Sequence, residues 1–161
     1  MQRHSVTAGF AIAVTVVFGL TRFATAAEEV PFKGSLEGIR VSSTPLDLPF
    51  LLNTSIVTGN STQLGNYQLT ITLIVNTADL TSLGTYEFAA SNGDTLTAAV
   101  AGTAEATAPG VNSIVEIAII TGGTGRFEGA TGDFICQRLA FRSNGVTVGT
   151  FDGTISTPGE D

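Results

Sequence analysis

Residues 113–135, SIVEIAIITGGTGRFEGATGDFI, constrain the fold of this chain more than any other stretch. An apolar, largely β-branched run ends at Gly122-Gly123, and a second apolar segment follows the glycine-dense link. Glycine adopts positive φ without steric penalty, so glycine-rich links between apolar runs separate strands rather than helices. The segment therefore predicts two neighbouring strands and favours an all-β, antiparallel fold.

The first 26 residues have the layout of a secretory signal peptide. The basic start Gln2-Arg3-His4 precedes the apolar run 6–20, and Ala24-Thr25-Ala26 supplies the small residues of a cleavage site. The run is shorter than the roughly 20 residues that cross a bilayer, although an uncleaved N-terminal anchor is the alternative. We expect a secreted or periplasmic, extracytoplasmic protein. It would have one domain over 27–161 and contact the membrane only transiently, through the signal peptide.

Composition excludes several classes of function. The chain has seven basic and fourteen acidic residues, and loss of 1–26 would leave five basic residues and a net charge of −9. Such an acidic surface repels phosphates, so nucleic-acid binding is not expected. The single histidine, His4, lies in the signal peptide, which removes Ser-His-Asp and Cys-His catalysis from the domain. No metal site is expected either, because no Asp-rich loop of suitable spacing is present.

Alternation of apolar and polar residues predicts eight strands and no helix in the domain. In 65–76, for example, apolar side chains occupy alternate positions from Leu69 to Val75. Asn-Gly pairs at 92–93 and 144–145 are typical of hairpin turns. Regular strands with short links favour a closed barrel, which leaves no exposed sheet edge. The predicted strands are 30–42, 55–63, 65–76, 84–90, 94–107, 113–121, 129–141 and 146–156, and 46–52 is predicted to be an irregular crossing segment.

Two stretches are apolar at successive rather than alternate positions. They are 114–120 and much of 133–141. Strands with this pattern are covered on both faces. We therefore expect the outside of this part of the wall to be covered by a partner or a loop.

Four segments resemble bacterial members of the allene oxide cyclase and dirigent barrel superfamily. They are 59–65 (GNSTQLG), 88–97 (FAASNGDTLT), 120–132 (ITGGTGRFEGATG) and 151–156 (FDGTIS), in the order of that superfamily. The resemblance implies an eight-stranded antiparallel, calycin-type barrel with an apolar lumen. It also implies cofactor-free cyclisation or isomerisation of a bound apolar molecule, and a homo-oligomer (trimer or dimer). Gln63 departs from the pattern, which often has histidine at this position.

Glu116 and Glu37 are the candidate catalytic residues. Glu116 lies within 114–120, where an apolar environment would favour a protonated carboxyl that could protonate an epoxide. The alternatives are an outward-facing Glu116 or one that pairs with a nearby arginine. Glu37, in the first predicted strand, is the second candidate.

The candidate ligand-binding residues are Tyr67, Tyr86, Arg138 and Cys136. The tyrosines could orient a polar group of the ligand, or could lie at the end of the barrel with their hydroxyls in water. Arg138 shares a face with Cys136, so it could pair with a ligand carboxylate if it faces inward, or with an acidic neighbour on the surface. Cys136 is the single cysteine, so it forms no intramolecular disulfide and is expected to be a buried thiol.

Together these features predict a secreted β-barrel that binds a small apolar molecule in its lumen. If the protein is an enzyme, the prediction is a cofactor-independent cyclase or isomerase. The alternative is a non-enzymatic structural or binding barrel whose lumen is filled by its own side chains. Seven phenylalanines follow residue 26, and an eight-stranded barrel can be narrow enough for side chains to fill it.

Overall fold

The computed structural model describes residues 28–157, so the predicted signal peptide (1–26) lies outside the described residues. Eight antiparallel strands form one closed barrel in chain order, and the last strand pairs with the first. A 3-10 turn, Gly125–Phe127, lies between the sixth and seventh strands. No helix within 28–157 is long and apolar enough to span a membrane. The strands are β1 (Glu29–Pro45), β2 (Phe50–Ser61), β3 (Gly65–Asn76), β4 (Thr81–Ala90), β5 (Thr95–Ala108), β6 (Val111–Gly123), β7 (Thr131–Phe141) and β8 (Val146–Ser156).

The predicted all-β barrel is confirmed, and β3 and β8 have the predicted bounds. The irregular segment 46–52 is wrong in its second half, because β2 begins at Phe50. From that residue the backbone pairs with β3 along its whole length, beginning with Phe50 opposite Asn76. Pro49 has no N–H to donate, so it precedes the strand, but it does not prevent pairing from the next residue onward.

Alternation places one face of every strand inside the barrel. In β3, Tyr67, Leu69 and Ile71 are buried, while Gln68, between the first two, is exposed. Exchanging the two faces would require a register shift of one residue, which would move these apolar side chains into water. The hydrophobic pattern therefore fixes which side chains enter the lumen.

One half of the lumen is filled by aromatic rings. We call it the closed half; it lies toward the start of β1 and the end of β8. Neighbouring ring centroids are between 4.9 and 6.2 Å apart, in tilted or edge-to-face arrangements that aromatic pairs prefer. Phe127, from the 3-10 turn, is buried at this end of the core. The six rings are those of Phe32, Tyr67, Tyr86, Phe88, Phe134 and Phe151.

The outer face of the wall carries an apolar row, formed by residues that are paired across five adjacent strands. Ile117 in β6 is 57% exposed, and its neighbours in this row are also exposed. No segment within 28–157 covers these residues, so the loop expected over 114–120 is not found in the described part of the chain. The row runs Ile74, Leu83, Ala101, Ile117 and Ile135.

Candidate functional site in the open half of the lumen

The other half of the lumen, the open half, contains a cavity of about 360 Å³. It lies toward the end of β1 and the start of β8, opposite the aromatic cluster. Its volume falls within the range of about 300–1,000 Å³ that is usual for small-molecule sites. About half of the residues that line it are apolar, and the other half are polar or charged. The aliphatic part includes Leu51, Ile71, Leu73, Val75 and Leu80.

A buried ion pair forms the boundary between the two halves. Arg138 donates from Nε to Glu116 Oε2 and from Nη2 to Glu116 Oε1, both at 2.8 Å. Tyr86 donates its hydroxyl to the same Oε2 atom. Glu116 is fully buried, whereas Arg138 lines the cavity. The side chain that faces a bound molecule is therefore the arginine, and the carboxylate lies behind it.

The guanidinium of Arg138 is held in one orientation. Its Nη1 donates to Thr147 Oγ1 at 3.2 Å, and Thr147 in turn donates to the Leu139 carbonyl at 2.9 Å. Arginine has five N–H donors, and three of them are used in these contacts. The other two form no hydrogen bond within residues 28–157. They are available to an acceptor in the cavity.

Glycine at position 102 leaves room for this ion pair. Gly102 lies opposite Glu116 in the pairing of β5 with β6. A Cβ at this position would lie 2.5 Å from Glu116 Cγ and 3.1 Å from Ser82 Oγ. A larger residue would therefore force the side chain of Glu116 or the backbone of β5 to shift. The small residue on the neighbouring strand is thus part of the site.

The surroundings shift the pKa values of the groups around Glu116. Burial lowers the pKa of Arg138, but hydrogen bonds to Glu116 and its negative charge raise it more, so the net pKa lies above its ordinary value. Burial, and then the charge of Glu116, raise the pKa of Tyr86 well above 10. Burial, and then Glu116, raise the pKa of Cys136 to about 11. Arg138 therefore stays charged, and the phenol and thiol stay neutral near pH 7.

The structure brings only some of the predicted site residues together. Glu116, Arg138 and Tyr86 come together at the floor of the cavity, and Glu116 takes the alternative in which it pairs with an arginine. Glu37 lies on the outer face of β1 and is exposed, away from the lumen. Neither tyrosine has its hydroxyl in water. Tyr67 is buried among the rings of the closed half, and its hydroxyl donates to the Ser35 carbonyl at 2.6 Å.

Cys136 is a buried free thiol next to the aromatic cluster. It lies opposite Glu116 in the pairing of β6 with β7 and does not line the cavity. Burial keeps its thiol protonated by raising its pKa, and the polar groups that act on it are Glu116, Tyr86 and Arg138. A thiol that is protonated and shielded from solvent is a poor nucleophile.

Three cavity residues were missed by the sequence analysis. Arg40 and Arg142 line the cavity, and the amide oxygen of Asn53 is buried there without a hydrogen-bond partner within residues 28–157. Extending the series of inward-facing positions by one more position would have predicted that both arginines face the lumen. Arg40 follows Leu36 and Gly38 on the inward face of β1, and Arg142 follows Arg138 and Ala140 at the end of β7. This continued alternation is the sequence signal for the mouth of the cavity.

Comparison with known proteins supports the fold. No protein-family model matches this chain, and no curated protein matches it. Among solved structures it is similar to a pterocarpan synthase dirigent protein, with a TM-score of 0.61 and 13% sequence identity. The match covers 93% of this chain and 98% of that one. At this identity the similarity concerns the fold alone, and the chain has a dirigent-like, eight-stranded barrel.

Proposed function

We propose that this barrel binds a small, largely apolar molecule in the open half of its lumen. The observation that carries the proposal is the cavity of about 360 Å³, which has a continuous aliphatic part, an equal share of polar lining residues and the buried Arg138–Glu116 pair as its floor. Apolar walls supply binding free energy by removing surface from water, and a few fixed polar groups set the orientation of the ligand. The alternative is a barrel whose lumen is filled by its own side chains. That description fits the closed half, where aromatic rings leave little space.

Cofactor-free cyclisation or isomerisation is the second candidate function. It is favoured by the resemblance to the allene oxide cyclases and by the two unused N–H donors of Arg138. A rigid donor in a water-poor cavity stabilises negative charge that develops on a bound oxygen. Glu116 suits the role of holding Arg138 rather than that of a general acid, because its oxygens already accept three hydrogen bonds. In this candidate Arg138 is the residue that contacts the substrate.

The binding proposal can be tested with a neutral fluorescent probe, N-phenyl-1-naphthylamine. The wild-type protein should bind it with saturable fluorescence enhancement. Ala104→Leu places a larger side chain in the cavity wall and should weaken this binding severalfold. Ala99→Leu is the matched control, because Ala99 lies on the same strand but faces outward and is outside the apolar row. Binding that is absent, or that is equally weak in both variants, would contradict the proposal.

A direct test is native mass spectrometry of the protein isolated from the cells that produce it. A retained small molecule, lost when the sample is denatured, is the expected result. Incubation with an unsaturated epoxide addresses the second candidate function. An enantiomeric excess in the cyclised product would support catalysis, whereas a racemic product at the uncatalysed rate would leave binding as the function.

We also propose that the protein is exported and forms a homo-oligomer through the apolar row on its outer wall. Intact mass of the exported protein should correspond to a chain that lacks residues 1–26. Ile117→Lys would place a charge within the row, between Ala101 and Ile135, where it would be costly to bury in an interface. This variant should sediment as a monomer at concentrations where the wild type sediments as a trimer or dimer. A monomeric wild type would contradict the assembly proposal alone.

A further inference from the structure

Positive charge is concentrated around the cavity of an otherwise acidic chain. Three of the five basic residues within 28–157 line it, namely Arg40, Arg138 and Arg142. None of the described residues that line the cavity is Asp or Glu. The full sequence has a net charge of −7. The positive potential of this cavity is therefore a local property that the composition would not suggest.

The two arginines at the mouth have no acidic partner in the described part of the chain. The other basic residues within 28–157 are paired. Lys33 lies 2.9 Å from Asp152, and Arg126 lies 3.6 Å from Asp94, both on the surface at the aromatic end of the barrel. Arg138 is paired with Glu116 at the floor. Arg40 and Arg142 form no ion pair with any acid in 28–157, so their charges are available to a ligand.

The backbone brings these two arginines to the same side of the mouth. The Arg40 N–H donates to the Gly145 carbonyl at 2.9 Å, which ties β1 to the turn that follows β7. Arg142 lies at the start of that turn, and its N–H donates to the Gly110 carbonyl at 2.8 Å. Both residues continue the inward-facing series of their strands. Two guanidinium groups near one opening can together bind an anionic group.

We propose that the open half selects a small organic anion, in which an apolar body occupies the cavity and a carboxylate or similar anionic head is held at the mouth by Arg40 and Arg142. This inference rests on the proposed binding function, because the body must enter the lumen. Inside, Asn53 offers an unpartnered acceptor, and Arg138 offers two N–H donors. A hydroxyl and a carbonyl on the apolar body would match these groups.

The experiment compares two probes that share one aromatic core. 8-Anilinonaphthalene-1-sulfonate carries an anionic group, and N-phenyl-1-naphthylamine is the same core without it. The wild-type protein should bind the anionic probe roughly tenfold more tightly, as expected for two partly solvated charge contacts. Raising the salt concentration should reduce this preference, since exposed charges are screened. The neutral probe should show no such salt dependence.

Two double variants locate the effect. Arg40→Gln/Arg142→Gln should remove most of the preference for the anion, measured as the ratio of the affinities of the two probes for the same variant. Lys33→Gln/Arg126→Gln removes the same charge from the surface at the aromatic end of the barrel and should keep the preference. Both pairs are at exposed positions, so the variants should fold, which circular dichroism checks. Equal affinities of the wild type for the two probes, or equal losses in the two double variants, would overturn the inference.

The outcomes separate this inference from the function on which it rests. If the neutral probe binds in the cavity but the anionic probe binds no more tightly, only the anion preference is overturned. If neither probe binds, or if Ala104→Leu weakens neither, the binding function is overturned with it. If Arg40→Gln/Arg142→Gln loses binding of the anionic probe and Lys33→Gln/Arg126→Gln does not, the result supports both the binding function and the anion preference.

Discussion

The closed and open halves of this barrel are built from the same eight strands, yet their interiors differ in kind. In the closed half, six aromatic rings contact one another, and Phe127 is buried at the end of the core. In the open half, aliphatic side chains and alternating small residues leave a cavity of about 360 Å³. The boundary is the Glu116–Arg138 pair, which faces aromatic rings on one side and the cavity on the other.

This difference shows how one β-barrel can separate stability from binding. The tightly packed half supplies the apolar burial that stabilises the barrel. No intramolecular disulfide adds to this stability, because the single cysteine is free. The open half can then keep unpaired polar groups and a void that a uniformly packed core would not tolerate. Substitutions should therefore be costly in the closed half and cheap in the open half, and four predictions test this contrast.

The largest effect is expected from Phe134→Ala in the closed half. Phe134 is fully buried, and its ring lies within 5.2 to 6.1 Å of several other rings, measured between centroids. Its loss should lower the free energy of unfolding by about 4 kcal/mol, through lost burial and a residual cavity. Phe141→Ala, beside the open cavity, should cost about 1 kcal/mol. Equilibrium urea unfolding measures both, and equal costs would break the contrast.

Glu116→Leu should lower the free energy of unfolding by about 3 kcal/mol, because it leaves Arg138 buried without a partner. Replacing both residues, as Glu116→Leu/Arg138→Met, should recover most of this loss. The control is Asp152→Asn, which breaks the exposed Lys33 pair and should cost less than about 1 kcal/mol. A double variant no more stable than Glu116→Leu would show that the cost does not come from the unpaired charge.

The same substitution at two positions of β5 compares the halves directly. Ala98 is buried at 1% exposure, and Ala98→Leu should overpack its surroundings at a cost of about 2 kcal/mol. Ala104 lines the open cavity, and Ala104→Leu should change stability by less than about 0.5 kcal/mol. Thermal and urea unfolding give both values. If Ala104→Leu is the more destabilising variant, the open half is less tolerant than its geometry indicates.

The smallest effect is a loss of stability at high pH that depends on Cys136. Burial raises the pKa of its thiol from 9.0 to about 11. Below pH 9 the thiol is protonated in both states, and above it the unfolded chain loses the proton first. Stability therefore falls between pH 9 and 11, by about 1.4 kcal/mol at pH 10. Cys136→Ala should lack this contribution, and identical pH profiles of the two proteins would show that the folded thiol titrates normally.

The sequence predicted the strands well and the candidate site in part. Alternation and turn glycines gave the bounds of β3 and β8, because these signals are local and steric. The start of β2 was missed, since pairing with β3 outweighed the two nearby prolines. Glu116 could not be oriented from 114–120, because a run that is apolar on both faces hides which residues point inward. Its burial became clear only when Ala118 and Ile120 were found in the core.

The sequence by itself determined an all-β chain whose inward residues recur at every second position. Only the tertiary structure decided what those residues do together. Glu116 lies opposite Cys136, not Arg138, so their ion pair depends on the register of β6 and β7. Arg40 in β1 and Arg142, directly after β7, line one cavity because β8 pairs with both strands and the barrel closes. Whether the lumen is filled or open depends on side chains contributed at one level by all eight strands, which no single stretch of sequence encodes.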